Sequence, residues 1–211
     1  GMNILPWTPK YDENGNHYLP PSNSNKNPRA SADWNEKNIK SYRLNGTMFL
    51  KWEPIKNLVV ETKNSAEAVF STERLYYSEK AGYDNIIQNI DNQIFQLTTS
   101  NTINYANVFG GYHSFRALVG QEATRYMMDQ DYFEAYGVNP DIPYAQTADQ
   151  TKTAVEQAKT RDTMLSFFGI VDYNYDNKYF VQATVRGDGS SLFGAKNKWG
   201  AFWSASASWN M

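Results

Sequence analysis

Strict alternation of apolar and small polar residues dominates the last third of the chain. In KWGAFWSASASWNM one face carries Trp199, Ala201, Trp203, Ala205, Ala207 and Trp209, and the other carries Gly200, Phe202, Ser204, Ser206, Ser208 and Asn210. Tyr179, Val181, Ala183 and Val185 alternate in the same way with Phe180, Gln182, Thr184 and Arg186. A period of two residues is the period of an extended strand with one apolar face. Aromatic residues at both ends of such a stripe are what a membrane barrel strand presents at its two interfaces. A half-buried strand of a soluble sandwich has nearly the same pattern.

Extended upstream, this reading gives about seven strands, near residues 41–52, 57–69, 98–109, 112–127, 163–175, 178–187 and 198–210. Residues 112–127 read as strand, with a helix over 115–136 as the competing reading. Short turns are expected at 53–56, with Pro54 in the turn because it cannot donate to a ladder, at Gly110 and Gly111, and at Asp176 and Asn177. Long connections are expected at 70–97, 128–162 and 188–197, with room for a short helix in the ambiguous segment after Ser71 and a surface helix at a Thr153-to-Glu156 capping box. Short turns on one side and long loops on the other form the rhythm of an outer-membrane barrel. Residues 1–40, rich in Pro, Asn and Ser, read as a loop or poorly ordered arm, and 41–211 as one β unit. The fold class is therefore all-β: an antiparallel up-and-down meander from a transmembrane β-barrel.

Composition narrows the function. The chain of 211 residues has no cysteine and a formal net charge of −2, so thiolate chemistry is absent and nucleic acid is not the expected partner. No apolar run approaches the ~18 residues of a spanning helix, which leaves a β-barrel open. Gly1 before Met2 reads as the remainder of a cleaved tag, and the reading frame shows no signal peptide. Asp12, Asn14 and Asn16 imitate the start of a calcium loop, but His17 stands where Gly is required. His17 and His113 lie far apart without carboxylates at ligand spacing, so no metal site and no cofactor are expected. Arg186, Gly187, Asp188, Gly189, Ser190 and Ser191 read as a tight connection, with Gly187 and Gly189 free to take positive φ. No grouping suggests catalysis, and the chain is not read as an enzyme.

The stretch FFGIVDYNYDNKYFVQATVRGDGSSLFGAKNKWGAFWSASASW resembles a barrel segment of the SusC/RagA-type TonB-dependent outer-membrane receptors of Bacteroidetes. The resemblance rests on Phe168, Gly169, Tyr173, Tyr175, Lys178, Tyr179, Arg186, Asp188, Gly189, Ser190, Ser191, Phe193, Gly194, Trp199, Gly200, Phe202 and Ser204. Ile170 and Gly187 stand where that family often has Arg, and Trp203 where it usually has Pro. EPIKNLVVET and TINYANVFGGYHSFRALVGQE look like earlier hairpins of the same barrel, so the resemblance covers roughly 41–211.

The resemblance implies a nutrient importer for glycans or peptides, with a plug domain, a SusD-like lipoprotein lid and TonB as partners of the full receptor. Seven strands are too few for a barrel that holds a plug, for which about 22 are expected. The chain is therefore expected to be an internal fragment, cut from a receptor or encoded by a broken gene, inactive alone and homo-oligomeric through its open edges. In the full receptor, Tyr76, Tyr77, Tyr132 and Tyr136 in the long loops are the candidates for stacking on substrate. The alternative is a soluble secreted all-β module that binds carbohydrate or serves as an adhesin, using the same aromatics as a platform.

Overall fold

The structure, a computed structural model, describes residues 9–18, 27–194 and 198–210. Seven strands follow in chain order: β1 (Glu36–Ile55), β2 (Leu58–Tyr77), β3 (Ile86–Phe109), β4 (His113–Ala135), β5 (Thr153–Tyr175), β6 (Tyr179–Ser190) and β7 (Trp199–Trp209). They form one sheet in the order β1-β2-β3-β4-β5-β6-β7, the meander that the alternation predicts. β5 pairs with β6 from Met164 opposite Ser190 to Tyr175 opposite Tyr179, and β6 pairs with β7 from Tyr179 opposite Trp209 to Gly189 opposite Trp199.

Strands run further than the periodicity indicates, and the connections shrink accordingly. The expected loops at 70–97, 128–162 and 188–197 become 78–85, 136–152 and 191–198, so Tyr76, Tyr77 and Tyr132 belong to strands and Tyr136 directly follows β4. The Thr153-to-Glu156 segment opens β5 instead of forming a helix. A capping box is a local preference of about 1 kcal/mol, and a helix here would have almost no apolar face to bury, so continuous strand pairing prevails. The segment after Ser71 holds the end of β2, a short 3-10 helix, Glu79–Ala81, where room for a short helix was expected, and the start of β3.

The opposite ends are tight. Asn57 sits at φ 70° after β1, Gly110 and Gly111 at 57° and 79° after β3, and Asp176 and Asn177 at 50° and 54° after β5. Pro54, expected in the turn, is within β1 instead. β1 is an edge strand, where the missing N–H does not interrupt a central ladder.

Within the stretch read as loop or arm, Pro28–Trp34 forms helix α1. Asn27 caps it by accepting from the Arg29 amide at 2.9 Å, with Pro28 in the first turn where its missing N–H costs nothing. The Asn27 side-chain amide also donates to the carbonyls of Lys10 and Tyr18, tying the helix to the 9–18 turn. In that turn the Asp12 carboxylate accepts from the amides of Asn14 and Asn16, so the calcium-like spacing serves a turn. His17 contacts Asp33 at 3.0 Å.

The chain divides into two units. One comprises the described residues up to Tyr42 with Val69–Gln93 and Asp129–Lys159; the other comprises Arg43–Ala68, Ile94–Met128 and Thr160 onward. The first has a small core of Tyr76, Ile87, Ala135 and Val138, against which Phe133 and Ala148 pack. In the second, no apolar cluster is buried among the described residues, and large apolar side chains stand in the open: Trp203 is 82% exposed and Met48 79%.

Aromatic rings in the second unit lie on glycine. A β-carbon at Gly120 would overlap the Phe168 ring, and one at Gly189 would come within 2.9 Å of the Trp199 indole. Gly189 is thus a shelf for a ring, and neither it nor Gly187 adopts the positive φ expected of them. Gly120→Val is expected to displace Phe168 and to cost about 1–3 kcal/mol of stability in urea unfolding of the vesicle-bound chain; an unchanged midpoint would show that the shelf has no role.

Candidate functional site

The β5–β6–β7 register separates two chemically distinct faces. One carries Phe167, Val171, Tyr173 and Tyr175 of β5, Tyr179, Val181, Ala183 and Val185 of β6, and the Trp and Ala residues of β7. The other carries Ser166, Phe168, Asp172 and Asn174, then Gln182, Thr184, Arg186 and Asp188, then Phe202, Ser204, Ser206 and Ser208.

On the apolar face stacked aromatic pairs form at two levels, with Trp203 between them. At the turn end, Tyr175 stacks on Tyr179 at 6.4 Å and Tyr179 on Trp209 at 6.2 Å. His113 lies 5.0 Å from the Tyr175 ring and bonds the Tyr173 hydroxyl at 2.7 Å. At the other end Phe167 stacks on Trp199 at 6.2 Å. β7 spans this belt with 11 residues, against the roughly 9–11 that a tilted strand needs to cross a bilayer.

The polar face is a hydrogen-bonded network. Arg116 donates from Nε to Asp172 at 2.7 Å and adds a second contact at 2.6 Å, while Gln182 donates to the other carboxylate oxygen at 2.6 Å. These side chains line a groove of about 340 Å³ together with Ser114, Asn174 and Ser206. Arg186 is held from several sides. Its Nε donates to Asp188 at 2.7 Å, its Nη2 donates to the buried Ser166 hydroxyl at 3.1 Å and lies 3.9 Å from Glu122, and its guanidinium sits 5.6 Å from the Phe168 ring centre. Thr184 and Ser204 bond each other at 2.6 Å.

The remaining signature residues secure the 191–198 connection. Ser191 Oγ accepts from the Thr163 amide at 2.9 Å, its own amide donates to the Thr163 carbonyl, and Ser190 Oγ accepts from Leu192. The Phe193 amide bonds the Ser190 carbonyl. Phe168, Tyr173, Tyr175, Arg186, Asp188, Gly189, Ser190, Trp199, Gly200 and Phe202 therefore occupy adjoining strands, with Gly169 packed by Val185, and Ser191, Phe193 and Gly194 follow β6 in the connection.

In the other unit, two of the four candidate tyrosines meet at one carboxylate. Tyr132 donates to Glu134 Oε2 at 2.7 Å, Tyr136 donates to Oε1 at 2.6 Å, and Gln88 donates to Oε2 as well. Tyr77 pairs with Tyr83 at 5.0 Å. Tyr76 is only 6% exposed and bonds Asn85 at 2.9 Å, so its ring offers no stacking surface. The sequence reading missed Glu134, Arg116 and Asp172: Arg116 meets Asp172 from 56 positions away and Gln88 meets Glu134 from 46, so no local spacing joins those pairs.

Burial pushes the Glu134 carboxyl up, but hydrogen bonds from Tyr136, Tyr132 and Gln88 together outweigh it and hold the group below the ordinary carboxylate range. Tyr132 is raised by burial and then by its bond to Glu134, and Tyr136 is raised chiefly by that same bond. A depressed acid stabilises the fold above its unfolded pKa and loses that contribution as pH falls through the folded value. Protease nicking of the 136–152 loop should therefore stay constant from neutral pH down to the ordinary carboxylate range and increase only below it. Glu134→Gln should abolish this acid limb; an identical limb in that variant would assign it to other groups. On the polar face, Asp188→Ala should destabilise by about 1–2 kcal/mol in urea unfolding, and Arg186→Lys should lose much of the same network.

An open meander with one apolar face and one polar face has the form of a wall segment of a transmembrane β-barrel. No family model matches the chain. Among curated proteins it is 24% identical to TonB-dependent receptor P26 of Formosa agariphila, over 98% of this chain and 22% of that protein. It is 27% identical to TonB-dependent receptor P39 of the same organism, over 57% of this chain and 12% of that one. A shorter match, 42% identical, joins 25% of the chain to 5% of TonB-dependent receptor SusC of Bacteroides thetaiotaomicron. Among solved structures, that of the RagAB peptide transporter superposes with a TM-score of 0.75 at 21% identity, over 94% of this chain and 23% of that one. The chain resembles, in sequence and fold, a barrel segment of the SusC/RagA-type TonB-dependent receptors, and spans less than a quarter of the length of the relatives it matches.

Proposed function

We propose that the chain forms part of the outer-membrane barrel wall of a TonB-dependent importer of oligosaccharides or peptides. The observation that carries this reading is the division of one sheet into an apolar face bounded by aromatic residues and a polar face knit by Arg116, Asp172, Gln182 and Arg186. The first suits lipid and the second suits a hydrated lumen. In this reading the tight turns lie on the periplasmic side, and the 78–85, 136–152 and 191–198 connections lie outside the cell. A SusD-like lipoprotein would cover that outer side, and TonB would drive transport in the whole receptor. The matches to SusC and to the RagAB peptide transporter support the choice of partner and substrate class. Tyr77, Tyr132 and Tyr136 remain the proposed substrate contacts, and Tyr76 is excluded by its burial.

Alone, the chain would be inactive, because among the described residues β1 and β7 are the outer strands of the sheet and each has one edge with no neighbouring strand. Edge-to-edge pairing would make the isolated chain a homo-oligomer. A soluble sandwich would need a second layer over the face that bears Trp203, and the described residues provide none there.

The absence of cysteine makes the test direct. Single variants Ser204→Cys and Ser206→Cys in the vesicle-inserted protein should react with a membrane-impermeant maleimide, while Ala205→Cys and Ala207→Cys should be protected. Equal labelling of both sets would contradict the reading.

A further inference from the structure

At the Trp199 end of the belt, the apolar face contains a groove of about 520 Å³ lined by Leu97, Ala123, Leu165 and Trp199, with Arg125 and Lys198 also in its wall. Neither cation is paired with a carboxylate among the described residues. We propose that this groove is a binding site for a lipid with an anionic phosphate headgroup, its acyl chain lying on Leu97, Leu165 and Trp199 and its phosphate held by Arg125 and Lys198. The inference rests on the barrel-wall reading given above.

Two features independent of the cations mark this level as the boundary between hydrocarbon and headgroup. Trp199 and Phe167 stack there, as interfacial aromatics do. On β2 to β4, the polar pairs Asn64–Thr99 and Asn101–Gln121, bonded at 2.9 and 2.8 Å, replace apolar side chains on one face. Gly120 lies under Phe168, so Gln121 and Phe167 are at neighbouring positions along their strands. Side chains of this length can lift their charges out of hydrocarbon while their stems cover apolar surface. A guanidinium and an ammonium group in the wall of one apolar groove complement a phosphate diester or monoester better than a zwitterionic headgroup, since no acidic side chain in the groove wall answers the choline.

The test uses the 211-residue chain in phosphatidylcholine nanodiscs doped with phosphatidic acid, with bound lipid counted by native mass spectrometry. One phosphatidic acid should be retained with about tenfold preference over phosphatidylcholine. The preference should vanish in the Arg125→Gln, Lys198→Gln double variant and survive in Lys56→Gln at the opposite turn. Insertion into pure phosphatidylcholine discs is measured first, by co-elution with the disc. Failure to insert would overturn the barrel reading and this site with it. Normal insertion without a preference, or a preference that the double variant retains, would overturn the lipid site alone. Displacement of the lipid by millimolar inorganic phosphate would also overturn it, by showing a site for free phosphate.

Discussion

Each strand of a one-layer sheet must satisfy its backbone through its neighbours, and the described residues supply no second layer to bury an apolar face. That constraint governs the Arg43–Ala68, Ile94–Met128 and Thr160-onward unit. Interstrand pairing from Met164 opposite Ser190 through Gly189 opposite Trp199 satisfies the amides and carbonyls, yet Val181, Val185, Trp203 and Trp209 remain more than half exposed. At about 25 cal/mol per Å² of apolar area, such a face cannot be left in water over many strands without a large penalty. In the barrel-wall reading hydrocarbon takes the place of the missing core, and the aromatic clusters around Tyr179 and Trp199 mark where that solvent would end.

The polar face obeys the same constraint with the opposite chemistry. Ionised side chains on a sheet need partners, and here each is multiply held: Asp172 accepts from Arg116 and Gln182, and Arg186 engages Asp188 and Ser166 and lies near Glu122 and Phe168. Because these groups are partly hydrated, the network contributes less to stability than buried pairs would. Its main effect is to fix side-chain positions along a water-lined surface. Glycine completes the design by letting Phe168 lie on one strand and Trp199 on another without widening the sheet.

The alternation of β7 and the Asp176-Asn177 turn were legible from local sequence, because a two-residue period and a left-handed turn are properties of consecutive residues. Strand ends were not. At Thr153 a capping signal and few apolar residues masked a strand that exists through its neighbours, and at Tyr76 the β2 extension follows from packing against Ile87 and Val138. The resemblance carried by Arg186, Asp188, Ser190 and Ser191 located the polar network without revealing its wiring, since Ser166 precedes Arg186 by 20 positions and Thr163 precedes Ser191 by 28. The Glu134 cluster, with Gln88 on a different strand, had no sequence signal. The helix after Asn27 did have one, an Asn-Pro cap, hidden within a polar stretch.

Depth-resolved quenching of single-tryptophan variants by lipids brominated at shallow or deep acyl positions tests the central claim most directly. The account predicts that Trp203 is quenched most strongly by deep bromines, and Trp199 and Trp209 by shallow ones. Equal quenching of all three by both lipids, or none, would contradict a lipid-facing belt that runs from Trp199 to Trp209.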